Sequence, residues 1–388
     1  MPLSLSKKSE CVMQSEIRNM SIECDKVGGI NLSQGICNLD VPLPVRRGAM
    51  AAMDAGLNTY TRYDGIDELR TAVAHKLKRR YGIDADPDRE VIVTSGSTGA
   101  FYCAALALLD PGDEVILFEP YYGYHLSTLQ ATGAEARYVT LRPPDWAFTA
   151  ADMEAACTSK TKGIMVCTPS NPSGKIFTRQ ELELIGDFAK SHDLFIFTDE
   201  IYEHFVYDGA EHIPPATLRD IGDRVITISG MSKTFSITGW RVGYCHAHSR
   251  WAQTIGYFHD LVYVCAPAPL QVGVADGLRT LDDDYYRDLL GLFVKKREMI
   301  CSTLAEVGFS PSIPQGGYYV LADISSLPGD GSKARAMHLL EKTGVACVPG
   351  EAFYHDPRNG QDLARFCFAK SDEELSDACG RLRVFAGK

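Results

Sequence analysis

Six short apolar segments, separated by stretches with helical periodicity, most constrain what this chain can fold into. They are residues 91–93, 115–118, 136–141, 163–167, 194–197 and 225–228. Their apolar character is continuous rather than alternating, which is typical of strands that are covered on both faces. Between two of them, Thr178 and Glu181 have the spacing of a capping box at the start of a helix. Strands that alternate with helices predict an α/β fold with a mostly parallel sheet flanked by helices.

The chain after about residue 290 has a different pattern, which we interpret as a smaller α/β domain. Its segments are, in order, a charged helix at 294–307, a Pro/Gly turn at 314–317, a strand at 318–322, a helix, and an apolar segment at 365–369. The first 44 residues look irregular. The expected organisation is an N-terminal segment that packs with the small domain (1–44), a large domain (45–290) and a small C-terminal domain (291–388).

Composition argues against several classes of protein. The chain has 39 Lys and Arg against 50 Asp and Glu, a formal net charge of −11, whereas a nucleic-acid-binding surface is usually basic. The sequence contains no unbroken apolar stretch of about 18 residues, which a membrane span would need. The N-terminus also lacks the apolar core of a secretory signal. Twelve cysteines form no C-x-x-C pair, which favours reduced thiols over a disulfide or zinc framework. We therefore expect a cytoplasmic protein without nucleic-acid or membrane partners.

Polar residues follow the carboxyl ends of the predicted strands. The sequences are TSGSTG at 94–99, EPYY at 119–122, TPSNPSG at 168–174, TDEIY at 198–202 and SGMSK at 229–233. In an open α/β sheet, ligands bind beyond the carboxyl ends of the strands. We therefore expect one site that combines a Gly/Ser/Thr loop, aromatic rings, an amide, a carboxylate and a lysine.

The loop at residues 96–99 precedes a predicted helix, where backbone N–H groups and hydroxyls can bind an anion. The same residues also fit an ordinary turn between a strand and a helix. The loop is not a dinucleotide fingerprint, because G-x-G-x-x-G is absent. Nor is there a P-loop farther along the chain, because Pro169 and Ile176 replace residues that such a loop needs.

Lys233 lies just beyond the last of the six apolar segments, 225–228. A lysine that is desolvated in a cleft loses its charge, and its neutral amine attacks carbonyl groups to form Schiff bases. A lone lysine is more often a surface residue, but Ser232 and Arg241 nearby suit a phosphate. Asp199 ends an apolar strand, where a carboxylate needs a partner such as a protonated ring nitrogen, a structural ion pair or a helix N-terminus.

Asn171 and Tyr202 could orient a ring hydroxyl, although either alone also fits a turn or the core. A phosphate, an aldehyde, a phenolic oxygen and a ring nitrogen are together the groups of pyridoxal 5′-phosphate (PLP). The residues therefore predict PLP as the cofactor, with no metal site.

These residues resemble the fold-type I PLP enzymes, in particular the class I and II aminotransferases. The sequence is most similar to the branch with bacterial aspartate aminotransferases and kynurenine aminotransferases. The resemblance covers residues 30–365 and is most specific at NPSG (171–174), TDEIY (198–202), Ser232 with Lys233, and GWRVG (239–243). It implies a large domain with a mostly parallel seven-stranded sheet and a smaller α/β domain.

The resemblance implies a role for each matching residue. Lys233 would form the Schiff base with PLP and move the substrate proton, and Asp199 would pair with the pyridine nitrogen. Asn171 and Tyr202 would bond the phenolic oxygen, and Tyr122 would stack on the ring. The phosphate would be held by Gly96, Ser97, Thr98, Ser232 and Arg241.

Further matches concern the substrate and a second subunit. Arg365 would bind the substrate α-carboxylate through two hydrogen bonds, with Gly35 and Asn171 beside it. Tyr60 would reach the phosphate of the neighbouring subunit, which implies a homodimer with shared active sites. Tyr63 is the alternative residue for that role.

The residues that recognise the substrate side chain do not follow the family pattern. Gly35 is followed by ICNLD (36–40), where the family often has G-x-P-D-F. No second arginine matches one that binds a dicarboxylate side chain, although Arg46, Arg47 and Arg62 are near in sequence. Four aromatic residues would suit an aromatic amino donor or a broad range of donors, but they also fit a place in the apolar core: Tyr124, His125, Tyr263 and Tyr319.

We therefore expect an aminotransferase that moves an amino group between an L-amino acid and a 2-oxo acid by a ping-pong mechanism. The donor would be aspartate, an aromatic amino acid or a broad range. Alternatives on the same scaffold are a β-lyase that acts on cysteine conjugates and a ring-closing enzyme of the ACC-synthase type. More distant alternatives are a PLP-binding protein without catalysis and a nucleotide-binding α/β protein.

Overall fold

The computed structural model describes residues 4–10, 12 and 14–387, except the side chain of Lys7. Its α-helices are α1 (Glu16–Lys26), α2 (Leu43–Asp54), α3 (Asp67–Tyr81), α4 (Gly96–Leu108), α5 (Gly123–Thr132), α6 (Ala150–Ala156), α7 (Arg179–Ser191), α8 (Ser249–Tyr263), α9 (Ala268–Thr280), α10 (Asp283–Glu306), α11 (Gly331–Thr343) and α12 (Asp372–Phe385). Its strands are β1 (Ile30–Asn31), β2 (Val91–Thr94), β3 (Glu114–Glu119), β4 (Glu135–Thr140), β5 (Thr161–Cys167), β6 (Phe195–Asp199), β7 (Val225–Gly230), β8 (Gly243–Ala247), β9 (Ser310–Ser312), β10 (Tyr319–Asp323), β11 (Val345–Ala346), β12 (Val348–Pro349) and β13 (Leu363–Cys367).

A seven-stranded sheet in the order β2-β8-β7-β6-β5-β3-β4 forms the centre of the molecule. Every pair from β7 to β4 is parallel, whereas β8 is antiparallel to both of its neighbours. All six predicted apolar segments are strands of this sheet. The predicted α/β fold with a mostly parallel sheet is therefore confirmed, and β8 is the strand that the sequence pattern did not reveal.

Helices cover both faces of the sheet, which explains why its strands do not alternate in polarity. Val115 and Leu117 face α4, α5 and α8, whereas Ile116 and Phe118 face α6 and α7. The predicted capping box is present at the start of α7, where Glu181 Oε2 accepts a hydrogen bond from the backbone N–H of Thr178 at 2.8 Å. Within the described part of the chain, every helix is too short or too polar to traverse a bilayer.

A second sheet, four-stranded and antiparallel in the order β12-β13-β10-β9, lies in the C-terminal part. It packs with α10, α11 and α12 around a common apolar core. Helix α10 is longer than the predicted 294–307, because it begins at Asp283 with Asp282 as its cap.

The N-terminal segment contacts this C-terminal core. Met20 and Cys24 of α1 belong to it, β1 pairs in parallel with β11, and the Cys367 N–H donates to the Leu32 carbonyl at 2.7 Å. The expectation that the first 44 residues are irregular is wrong, since they contain α1, β1 and the start of α2. The division into domains after residues 44 and 290 stays a prediction.

Candidate active site

A cavity of about 470 Å³ opens where the parallel strands end. Most of the residues that the sequence analysis singled out line it: Gly35, Ser97, Thr98, Tyr122, Asn171, Asp199, Tyr202, Ser232, Lys233, Arg241 and Arg365. They come from both parts of the chain, because Arg365 lies on β13 and Gly35 in the N-terminal segment. The fold thus brings together residues that are up to 330 positions apart in sequence (365 − 35).

The Lys233 amine lies at the end of the segment that follows β7. Its Nζ is 3.5 Å from the Gly35 carbonyl oxygen and 5.9 Å from the ring centroids of Tyr202 and Tyr318. Burial lowers the pKa of Lys233 to about 8, and the positive charge of Arg241 acts in the same direction. An amine with this pKa is partly neutral near physiological pH, as a nucleophile or proton acceptor requires.

Asp199 is the last residue of β6 and is almost completely buried. Its Oδ2 is 2.9 Å from His125 Nε2, and its Oδ1 accepts the Ile201 N–H at 3.3 Å. His125 lies in the first turn of α5, three residues after Tyr122, and the two rings meet edge to face with centroids 5.3 Å apart. The imidazole therefore fixes the carboxylate that the sequence predicted to face a ring nitrogen.

Two tyrosines face each other in the cavity. The hydroxyls of Tyr202 and Tyr319 are 3.1 Å apart. Burial raises the pKa of Tyr202 well above its usual value and that of Tyr319 to about 12. Both phenols are therefore protonated at neutral pH and can donate hydrogen bonds.

Arg365 is completely buried at the cavity wall. One terminal nitrogen donates to Asn171 Oδ1 at 2.7 Å and the other to the Ser33 carbonyl at 2.5 Å. The guanidinium lies 4.2 Å from the Tyr319 ring centroid, and its Nε has no hydrogen-bond partner among the described residues. No carboxylate neutralises it there, so a ligand carboxylate is the group that this site lacks.

The space around Gly35 is too small for the side chain of any other residue. Its carbonyl oxygen accepts a hydrogen bond from the Tyr318 hydroxyl at 3.1 Å and faces Lys233. A Cβ at this position would overlap the Tyr319 hydroxyl. The glycine therefore lets the chain pass between the lysine and the tyrosines.

The Gly/Ser/Thr loop is the first turn of α4 rather than a loop before it. Gly96 has a φ of +71°, and a Cβ there would clash with the guanidinium of Arg241. Arg241 has a φ of +54° and donates to the Thr238 carbonyl at 2.9 Å. The Ser97, Thr98 and Ser232 side chains line the same end of the cavity as the start of α4. This end therefore combines hydroxyls, a helix N-terminus and a guanidinium, which together suit an anion.

Two predicted site residues do not line the cavity: Gly96, which precedes the lining residue Ser97, and Tyr60. Tyr60 is 81% exposed and lies in a separate surface hollow with Val264 and Pro267. Tyr63, the alternative, packs on Tyr257 with ring centroids 5.3 Å apart. Of the two, only Tyr60 has a ring that is free to meet another molecule.

Several residues of the cavity carry no site motif in the sequence. The sequence suggests His125 only as an aromatic neighbour, although its spacing from Tyr122 places both on one face of α5. Ser15, Ile17 and Arg18 also line the cavity, from a segment that looks irregular in sequence. Of the arginines weighed for the substrate side chain, Arg62 pairs with Asp64 at 2.7 Å, and Arg46 and Arg47 are exposed outside the cavity.

Comparison with known proteins identifies the family. Residues 27–382 match the family model described as aminotransferase class I and II. A probable N-succinyldiaminopimelate aminotransferase DapC of Mycobacterium tuberculosis is 35% identical over 379 residues, 95% of each chain. Kynurenine–oxoglutarate transaminase 3 of Rattus norvegicus is 33% identical over 93% of this chain and 87% of its own.

A solved structure, the N-succinyldiaminopimelate aminotransferase from M. tuberculosis, superposes with a TM-score of 0.95 at 32% identity and covers 98% of this chain and 100% of its own. These findings confirm the predicted aminotransferase and do not favour the β-lyase or ring-closing alternatives. The chain belongs to the class I and II aminotransferase family.

Proposed function

We propose that this cavity binds PLP and transfers amino groups between an L-amino acid and a 2-oxo acid, with Lys233 as the residue that bonds to the cofactor. The observation that carries the proposal is the pairing, in one cavity, of a lysine with a lowered pKa and a buried carboxylate, Asp199. The anion-binding end formed by α4 and Arg241 supplies the third feature that PLP requires.

The residues present fit PLP in their chemistry. Ser97, Thr98, Ser232 and Arg241 would hold the phosphate, and Tyr122 would stack on the ring. Asn171 and Tyr202 would bond the phenolic oxygen. When bound, PLP supplies an aldehyde that condenses with amino groups and a ring that stabilises negative charge at the substrate Cα.

The side chains of the protein then supply the proton transfers and the binding geometry. Lys233, neutral in part near pH 8, would accept the proton from the substrate Cα and deliver it to the former aldehyde carbon of the cofactor. Asp199, fixed by His125, keeps a proton on the pyridine nitrogen. Arg365 and Gly35 hold the α-carboxylate, so that the Cα proton faces the lysine.

We also propose a homodimer in which Tyr60 contributes to the phosphate site of the neighbouring subunit. Tyr60, Tyr257 and Leu261 are all strongly exposed, which is unusual for large apolar side chains that remain in water. Mixing Lys233→Ala and Tyr60→Ala subunits tests this proposal. Neither variant alone has an intact site, but hybrid dimers contain one, so activity should reappear on mixing; no recovery in confirmed hybrids would contradict shared sites.

The part of the cavity that would hold the substrate side chain suits amino donors with a second carboxylate. Arg18 lines both the cavity and an adjoining hollow of about 430 Å³, and it has no carboxylate partner among the described residues. Tyr124 also lines both spaces, so a long side chain could pass between the two residues. We propose that donors whose side chain ends in a carboxylate are preferred, with aromatic donors as the second candidates because of Tyr124 and Tyr319.

The test is a half-reaction screen. The purified enzyme, loaded with PLP, is mixed with single amino acids, and the loss of the absorbance of the covalently bound cofactor is followed together with 2-oxo acid formation. Wild-type protein should respond and release a 2-oxo acid, whereas Lys233→Ala should not turn over. Turnover in Lys233→Ala at the wild-type rate would contradict the proposal, as would ammonia and pyruvate as the main products.

A further inference from the structure

A buried charged network lies directly behind the turn that carries Asp199 and Tyr202, outside the cavity. Its centre is Glu203, whose Oε1 accepts hydrogen bonds from Lys76 Nζ and, at 2.9 Å, from Ser229 Oγ. Its Oε2 accepts the Tyr81 hydroxyl at 2.6 Å. The side chains of Lys76 and Glu203 are each only 2% exposed. A carboxylate with three donors in the protein interior is held in one position.

The partners of Glu203 belong to different elements of the fold. Lys76 and Tyr81 lie on α3, and Ser229 lies on β7, four residues before Lys233. Lys76 Nζ also contacts the Tyr244 hydroxyl of β8 at 2.7 Å. The network therefore joins α3, β7 and β8 to the turn after β6.

The other titratable groups near Glu203 do not disturb the pairing of its negative charge with Lys76. Burial is the largest single influence and raises the pKa of Glu203, but the charge and hydrogen bond of Lys76, together with the neighbouring histidines, hold that pKa well below its usual value. Burial lowers the pKa of His204 to about 3, so this neighbour is neutral. Glu200 is bonded separately, by the Thr198 hydroxyl at 2.6 Å and by His212 Nε2 at 2.9 Å.

Arg80, His246 and Tyr286 are further ionisable groups that interact electrostatically with the network. None of them forms a hydrogen bond with Glu203 among the described residues. The direct bonds of the carboxylate are therefore those from Lys76, Tyr81 and Ser229.

Ser229 connects the two segments that matter for the reaction. Its hydroxyl contacts Glu203 and lies 3.3 Å from the Glu200 carbonyl, so β7 is bonded to the turn at the point where the turn begins. Asp199 and Tyr202 project from one of these segments, and Lys233 follows the other. The separation of the segments sets the distance between the carboxylate and the amine, and small misplacements of reacting groups are costly.

We propose that Glu203 is a positioning residue, which acts through Ser229 to fix the turn carrying Asp199 and Tyr202 relative to the segment carrying Lys233. This inference rests on the proposed function, because it concerns groups that would face PLP. None of the network residues Lys76, Tyr81, Glu203, Ser229 and Tyr244 lines the cavity. Their effect on catalysis must therefore be indirect.

The sharpest variant is Ser229→Ala, because it removes the side-chain link between turn and strand but leaves the bond of Lys76 to Glu203 and the backbone bond of Glu200 to Ile228 intact. The matched control is Thr227→Val, on the same face of β7 two residues earlier, whose buried hydroxyl has no hydrogen-bond partner among the described residues. Ser229→Ala should lower kcat of the half-reaction on the order of tenfold, the effect of losing one hydrogen bond to a charged group. It should also shift the pH midpoint of the bound-cofactor absorbance by about half a pH unit. Thr227→Val should change neither.

A second pair of variants separates positioning from stability. Glu203→Leu removes the acceptor of the Ser229 hydroxyl and leaves Lys76 buried without a counter-charge, so it should lower both Tm and, on the order of 10²-fold, kcat. Adding Lys76→Met removes the unpaired charge. This double variant should regain Tm while its kcat and absorbance midpoint remain altered.

The proposal is overturned if Ser229→Ala matches Thr227→Val in rate and in absorbance, or if the double variant regains kcat together with Tm. If Glu203→Leu does not fold, Ser229→Ala decides the question alone. Failure of the proposed function is a separate outcome, because wild-type protein would then fail to bind PLP covalently or Lys233→Ala would keep its turnover.

Discussion

Replacing Lys233 by methionine should stabilise the cofactor-free protein, although it removes the reactive amine. Methionine matches the length of lysine and is apolar, so it suits the buried position. Burial lowers the pKa of Lys233 from 10.5 to about 8 in the folded protein, whereas the unfolded chain keeps the ordinary value. Folding must therefore release protons from this amine over part of the pH range, and that costs free energy.

The magnitude follows from the two pKa values. At 1.36 kcal/mol per pH unit, the difference corresponds to about 3 kcal/mol. Lys233 keeps part of its surface open to the cavity, so solvent screening lowers this free-energy cost to about 2 kcal/mol. Since the folded-state pKa is the lower one, the cost is complete below about pH 8, shrinks as the pH rises toward 10.5 and is absent above that.

The assay is urea unfolding of the cofactor-free wild type and Lys233→Met, followed by circular dichroism at about pH 7 and about pH 10. Methionine should raise the free energy of unfolding at the lower pH and much less at the higher one. Lys295→Met is the control, because Lys295 is exposed and its replacement should change stability by less than about 0.5 kcal/mol. A variant no more stable than wild type at pH 7, or an equal gain at both pH values, would refute the reasoning.

Three further predictions concern other parts of the site. Arg365→Lys should raise KM by about 10²-fold for every amino acid. The reason is that one ammonium group cannot replace the two hydrogen bonds of a guanidinium, each worth about 1.5–3 kcal/mol to a charged partner. A rise in KM for some donors only, measured by steady-state kinetics, would contradict a role in α-carboxylate binding. Gly35→Ala should destabilise the protein by about 1–3 kcal/mol through the overlap with the Tyr319 hydroxyl, and adding Tyr319→Phe should recover part of the lost Tm. Arg18→Ala should lower kcat/KM about tenfold for donors with a second carboxylate and leave apolar donors unchanged; an equal effect on both groups would count against the side-chain assignment.

The central sheet could be predicted from sequence because helices cover both faces of each strand, so that Ile116 and Leu117 are equally buried although they point in opposite directions. Strand β8 could not, since Tyr244 and His246 interrupt its apolar pattern and its partners β2 and β7 are set by long-range pairing. Helix α1 has Ile17, Met20 and Cys24 on one face, but Ser15 forms no capping bond there. Its stability comes from the C-terminal core that it packs against, which local sequence does not contain.

Residues of the candidate site could be predicted where a local motif carries the chemistry, as for Asp199 and Lys233. Contacts between distant parts of the chain could not, such as the bond of Arg365 to Asn171, 194 positions away. Lys76 and Glu203 have the sequence context of exposed charges on a helix and in a turn. Only the fold shows that they pair in the interior, because burial depends on which elements pack over them.

The chain segment around Gly35 has a consequence for how substrates are bound. Its carbonyls at Leu32 and Ser33 accept hydrogen bonds from Cys367 and Arg365 of β13, so the glycine and the arginine belong to one bonded unit. Lys233 instead lies in the segment that follows β7 of the seven-stranded sheet. A change that displaces β13 would therefore weaken the binding of all amino acids alike. Lys233 would still react with the aldehyde of the cofactor.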